Sequence, residues 1–225
     1  MELHDIMVRA LASSAAVVRD VTRAQSGLPT PCAEWDVRAL SNHLLLVVEA
    51  LELAGRGEPI TDEHWSRDAA RLPEAAVSAR SSNAAADARL PDAAISARSS
   101  NAATDARLFD TVDADARSFG VSATDAWKAP EVWQRPVVMG GMPMPAEMAV
   151  AMLVSDVVIH GWDLARATGQ ELHVDDDVAA TTLRFMTAMG DQGRAMGIFA
   201  QPVAVPGHAS MLDRALALSG RDPSH

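Results

Sequence analysis

Apolar residues recur at helical spacing through most of this chain, and the recurrence breaks wherever proline and glycine cluster. Ile6, Ala10, Val17, Val18 and Val21 predict a first helix from about Leu3 to Ala24. Ser26-Gly27-Leu28-Pro29-Thr30-Pro31 ends it, because proline has no amide to donate and clashes with the preceding turn. Asp36 stands where an N-cap is needed for a second helix, Val37 to about Ala54, stopped by Gly55 and Gly57. From Trp127 to Pro145 the periodicity fails and predicts a loop, with Val137-Val138-Met139 as a short extended piece. Pro145 suits the first position of a fourth helix that runs to Thr168 and stops at Gly169. Asp175-Asp176-Asp177 head a fifth helix through about Met189, their charge favouring its positive end. Gly190, Gly193 and Gly197 are expected to loosen the chain beyond that helix, and a last helix runs from about Met211 to Ser219, before Gly220. No apolar run is expected to reach bilayer-spanning length.

Between the second and fourth helices lies a tandem duplication. Leu72 through Arg89 recurs as Leu90 through Arg107, differing only at Glu74/Asp92, Val77/Ile95 and Ala86/Thr104. The period of 18 residues equals five turns at about 3.6 residues per turn, so a second copy keeps every side chain on its original helix face. Two copies fall short of a solenoid. The segment reads as an extension of a third helix with Pro91 as a kink, or as an Ala/Ser/Asp/Arg linker, since it holds few large apolar side chains.

Composition sharpens the class. Five Trp, four Phe and no Tyr leave the apolar positions to Ala, Val, Leu and Met, a balance that favours helix over strand and points to an all-α protein. A length of 225 residues suits one well-buried domain with a small appendage: a bundle over 1–170 carrying the duplication at 72–107, and a helical extension over 171–225 packed on it. The net charge of −11, with no local Lys/Arg cluster, argues against nucleic acid as a partner. A single cysteine, Cys32, rules out an intramolecular disulfide, and with no secretory pattern at the N-terminus the expectation is a cytoplasmic protein without membrane association.

The candidate chemistry gathers in Ser155-Asp156-Val157-Val158-Ile159-His160-Gly161-Trp162-Asp163. Asp156 and His160, four residues apart, share one helix face one turn apart, where both reach a single cation. His43, in the second helix, is a third candidate; two nitrogens and one oxygen would leave coordination positions open. Spacing alone leaves this open, because Asp156 and His160 also read as a buried hydrogen-bonded pair and His43 as a core histidine. Asp163 reads as an acceptor that orients a ligand or as the partner of Arg166 in a surface ion pair. Cys32, before a helix, is a small hydrophobe or a dipole-stabilised thiolate. His64, His173 and His208 read as surface residues, Trp35 and Trp162 as packing, and Met142, Met144, Met148 and Met152 as gap-fillers.

Two segments carry a resemblance. Thr30-Pro31-Cys32-Ala33-Glu34-Trp35-Asp36-Val37-Arg38-Ala39-Leu40-Ser41-Asn42-His43-Leu44 and Asp156 through Gly169 resemble the metal-binding domain of mycothiol-dependent maleylpyruvate isomerases, within the DinB-like superfamily. The closing Gly220-Arg221-Asp222-Pro223 resembles the end of a large, mostly uncharacterised actinobacterial branch. The resemblance implies a four-helix bundle whose second and fourth helices hold a divalent metal, usually zinc, here through His43, Asp156 and His160. The first acid is commonly Glu in those isomerases and is Asp here. It also implies mycothiol or another low-molecular-weight thiol as cosubstrate, whose thiolate adds to a small electrophile and then leaves, isomerising it, or stays, as S-transfer. The isomerases carry a separate α/β C-terminal domain, whereas residues 171–225 here predict only helices and loops, which argues against maleylpyruvate itself. Metal-dependent hydrolysis without a thiol, with Asp163 as the one candidate base, and non-catalytic metal binding or regulation remain as alternatives.

Overall fold

The computed structural model describes residues 2–33, 35–66 and 119–224. The duplicated segment 72–107, and with it the expected third helix, lies outside the described residues. The described helices are α1 (Glu2–Arg19), α2 (Val37–Arg56), α3 (Asp62–Ser66), α4 (Val121–Ala126), α5 (Ala146–Thr168), α6 (Asp176–Ala195) and α7 (Met211–Leu218); the short α3 and α4 are not among the predicted helices, and the rest come in the predicted order. Among the described residues one hairpin, β1 (Val137–Met139) antiparallel to β2 (Met142–Met144), interrupts an all-α architecture, and it forms where the extended piece was expected.

Local chemistry sets the helix ends. Asp36 Oδ1 accepts the Ala39 amide at 2.9 Å and starts α2, which runs through Gly55 and stops at Gly57. α1 ends five residues before the predicted Ala24: the Thr22 amide donates to Gln25 Oε1 at 2.9 Å, and a short 3₁₀ turn replaces the last helical turn. Asp175 occupies the N-cap position of α6 without capping it, because its carboxylate turns to Arg9 of α1 at 2.9 Å. α6 also outruns its predicted end at Met189. Gly190 and Gly193 lie inside the helix, and Gly193 serves packing: a Cβ there would stand 2.3 Å from the Phe199 ring. The glycine lets the chain after α6 fold back onto it.

α5 is the axis of the molecule. It packs along both α1 and α2, while α6 lies on α5 and α1, and α7 on α6. Val150, Leu153, Val154, Val157, Val158 and Leu164 are buried around its circumference, against Leu40, Leu44, Val47 and Leu51 of α2 and Met7, Ala10, Leu11 and Val18 of α1. A helix enclosed on several sides is apolar all round. α5 accordingly reaches the length and apolarity of a membrane span, against the sequence expectation, but most of it is covered by its neighbours.

Candidate metal centre

His43 and the Asp156/His160 pair lie on the two helices whose packing forms the core. His43 sits on α2 two turns past the Asp36 cap, and its side chain is only 10% exposed. Asp156 and His160 face it from adjacent turns of α5. Asp156 Oδ1 is the meeting point: it lies 3.4 Å from His43 Nε2 and 3.2 Å from His160 Nε2. The three residues' donor atoms fall within 4.8 Å of one another. The Asp156 side chain keeps 28% exposure while His160 keeps 12%, so the cluster opens over the carboxylate.

Behind His160 stands Asp163, with no exposed side-chain surface. Its Oδ2 accepts from His160 Nδ1 at 3.0 Å and from Arg221 Nη2 at 2.9 Å, and Oδ1 accepts from Arg221 Nε at 3.3 Å. The surface ion pair with Arg166 does not form; Arg166 lies over the Trp162 ring, 5.8 Å from its centroid. Burial pushes the Asp163 carboxyl up, but hydrogen bonds from His160 and Arg221 and their charges outweigh it and hold the group below the ordinary range. Burial likewise raises Asp156, and His43, His160 and Arg221 more than reverse that. For Arg221, burial lowers the pKa while Asp163, Cys32 and Asp156 raise it, with a net rise.

These contacts assign protons. An ionised carboxylate only accepts, so Asp163 accepts the Nδ1–H of His160 and turns the other ring nitrogen, Nε2, away from itself. Nε2 faces Asp156 Oδ1 at 3.2 Å. A proton on Nε2, or a cation held between the two atoms, meets the Asp156 carboxylate there. Charge-assisted hydrogen bonds run about 2.7–2.9 Å, shorter than either contact here. With metal–ligand bonds of about 2.0–2.1 Å, the edge of a tetrahedral zinc site is about 3.4 Å. The donor set is one that could hold a divalent cation.

Aromatic rings wall the site. The Trp35 ring tilts over His43 with centroids 4.4 Å apart and over His160 at 5.3 Å, and Trp65 lies 6.2 Å from His43. Trp35 arrives there through a tight turn in which its amide donates to Cys32 O and Thr30 Oγ1 donates to both Cys32 O and Trp35 O. Sequence periodicity marks Trp35 as a packing residue, but only the folded turn shows that it packs on the imidazoles. The same turn puts Cys32, partly exposed, near His160 and Asp163, the three side chains' donor atoms lying within 4.8 Å of one another.

Among the other histidines, His173 and His208 are exposed as expected. His64 is not: it is 4% exposed, with Nε2 2.8 Å from the Leu46 carbonyl of α2. Its neighbours Asp62 and Glu63 suggest a solvent-facing segment, but in the single turn α3 His64 points inward. Met142 and Met148 are exposed, and Met144 and Met152 half-buried. Arg221 is the site residue that sequence reasoning missed. The signal available was Asp163 itself, a carboxylate among apolar helix positions that requires a cationic partner.

Fold and cluster together define an all-α protein with a His-plus-carboxylate constellation held between two core helices. The chain belongs to the family of the mycothiol maleylpyruvate isomerase N-terminal domain, whose model matches residues 8–165. Two proteins of Mycobacterium tuberculosis, from strains CDC 1551 / Oshkosh and H37Rv and both named as uncharacterized, are each 30% identical to it over 215 residues, 95% of this chain and 94% of theirs. They accord with the actinobacterial branch expected from the sequence. No solved structure gives a significant match.

Proposed function

We propose that His43, Asp156 and His160 hold one divalent cation, zinc, and that the protein is a cytoplasmic enzyme using a low-molecular-weight thiol, mycothiol, to isomerise or S-alkylate with a small electrophile. The observation that carries this reading is the carboxylate oxygen of Asp156 set 3.4 Å and 3.2 Å from two imidazole nitrogens, with Asp163 holding the far nitrogen of the His160 ring. A cation there would act as a Lewis acid and favour the thiolate over the thiol. The chain's own residues supply the rest. Asp156 stays ionised at neutral pH, Asp163 orients His160, and Trp35 and Trp65 shield the His43 ring from water. A recess of about 530 Å³ shares Trp35 with the site and is lined by Pro29, Thr30, Ala33 and Arg38, room for part of a small substrate. Residues 1–170 then form the metal-binding bundle, and 171–225 a helical extension rather than a second catalytic domain.

Two observations weigh against the other readings. Hydrolysis needs a base beside the cation, and Asp163 is fully buried with both oxygens engaged. A vestigial, sealed site would not leave the Asp156 side chain 28% exposed.

The test is elemental mass spectrometry on protein purified without a histidine tag. About one equivalent of zinc, lost in His160→Ala, is the expected result, and mycothiol should shift the visible bands of a cobalt-substituted sample. Absence of any metal after incubation with zinc would overturn the metal reading; unshifted bands would overturn the thiol.

A further inference from the structure

We propose that Arg221 is a positioning residue of this centre, acting on His160 through Asp163, so that the C-terminal turn after α7 is part of the site. The proposal rests on the metal reading above for its functional meaning, while its geometry stands independently.

α7 aims the arginine. Ser219 is its last capping residue, and Gly220 comes next with φ of 89°, in the left-handed region where glycine alone is unstrained. The Gly220 amide donates to Ala217 O at 3.1 Å and the Arg221 amide to Leu216 O at 3.0 Å, the paired bonds of a Schellman stop. These bonds fix the backbone direction of Arg221 as it leaves the helix. A Cβ on Gly220 would lie 2.6 Å from Ala200 Cβ, so the turn is also seated against the segment after α6.

From that turn the guanidinium grips Asp163 from two sides of its fork, Nε to Oδ1 and Nη2 to Oδ2, while Nη1 donates to Ser219 O at 3.2 Å. A two-point grip fixes the plane of the carboxylate as well as its position. Oδ2 then presents its remaining lone pair to His160 Nδ1, and the opposite ring nitrogen is directed at Asp156 and His43. The Arg221 side chain is 11% exposed and Asp163 is fully enclosed, so water competes little for these bonds. Without the fork the Asp163 carboxylate is free to rotate, and the tautomer and tilt of His160 lose their determinant. Residues behind a metal-bound histidine commonly govern affinity by about 10- to 100-fold.

The experiment compares the full chain with Arg221→Ala, Arg221→Lys and Ser210→Ala. Ser210 caps α7 by accepting the Asp213 amide and touches none of the centre, so its loss loosens the helix alone. Zinc affinity is read by competition with a chromophoric chelator, and the His160 tautomer by nitrogen-15 NMR without zinc. Arg221→Ala is expected to weaken zinc about tenfold and to mix the Nδ1–H and Nε2–H tautomers; Arg221→Lys, which keeps charge but not the fork, should fall between. Ser210→Ala should lower the melting temperature and change neither readout. A folded Arg221 variant with wild-type zinc affinity and a pure Nδ1–H tautomer would overturn the proposal, leaving Arg221 as an anchor of α7. Should Arg221→Ala fail to fold, Arg221→Lys decides. Should the wild type bind no zinc, the metal reading fails and the tautomer alone decides this proposal.

Discussion

A carboxylate with no exposed surface persists in a helical core only when its charge is met, and Asp163 is met by Arg221 and His160. Asp156 and Asp163 both titrate below the ordinary range in the folded chain. An unfolded aspartate titrates at about 3.9, so the stability each contributes is complete above about pH 5 and is lost as pH falls towards the depressed folded values. Urea midpoints of metal-free protein should therefore drop steeply below about pH 4. Asp163→Asn should lower the midpoint at neutral pH and flatten that acid limb; an unchanged limb would mean the charge contacts contribute nothing. His64→Ala should cost about 1–3 kcal/mol by urea titration, for a buried side chain and its bond to Leu46 O. The residues legible in the sequence are those whose type and spacing mean chemistry on one helix: Asp156 and His160. His64 and Arg221 are not, because their roles depend on partners that sequence spacing does not reveal.

Periodicity gives the helices in their true order, and their ends are legible where one residue decides, as at Asp36 and Gly169. Ends set by distant partners fall elsewhere than the pattern predicts. α1 stops early because Gln25 serves both Thr22 and the Thr168 carbonyl at the end of α5, and α6 continues because Phe199 needs the space at Gly193. Gly193→Ala should accordingly lower stability by about 1–3 kcal/mol in thermal melts, although alanine is the better helix former. A stabilised variant would show that Phe199 moves aside at no cost. α5 poses the opposite difficulty: with apolar residues on all sides, its pattern does not say which face meets α1 and which meets α2.

Across the whole molecule, the site joins residues 113 positions apart, from α2 and α5, and is backed by Arg221 from the turn after α7. The tandem copy contributes none of these residues, and its period of 18 leaves helical phase unchanged on removal. Deletion of 90–107 should therefore preserve about one equivalent of zinc and the His160→Ala sensitivity; loss of zinc on deletion would make the second copy part of the folded unit that supports the site.

The amino-acid sequence by itself determined the all-α class, the order of the elements and the helix faces that carry His43, Asp156 and His160. Those properties come from local backbone preference and from a periodicity that each segment displays alone. Tertiary structure decided which candidate atoms converge, that Trp35 walls them, that Asp163 turns inward and that Arg221 meets it. Convergence depends on how α1, α2 and α6 pack around α5 and how α7 packs on α6, and packing is settled by the fit of whole surfaces rather than by any one segment.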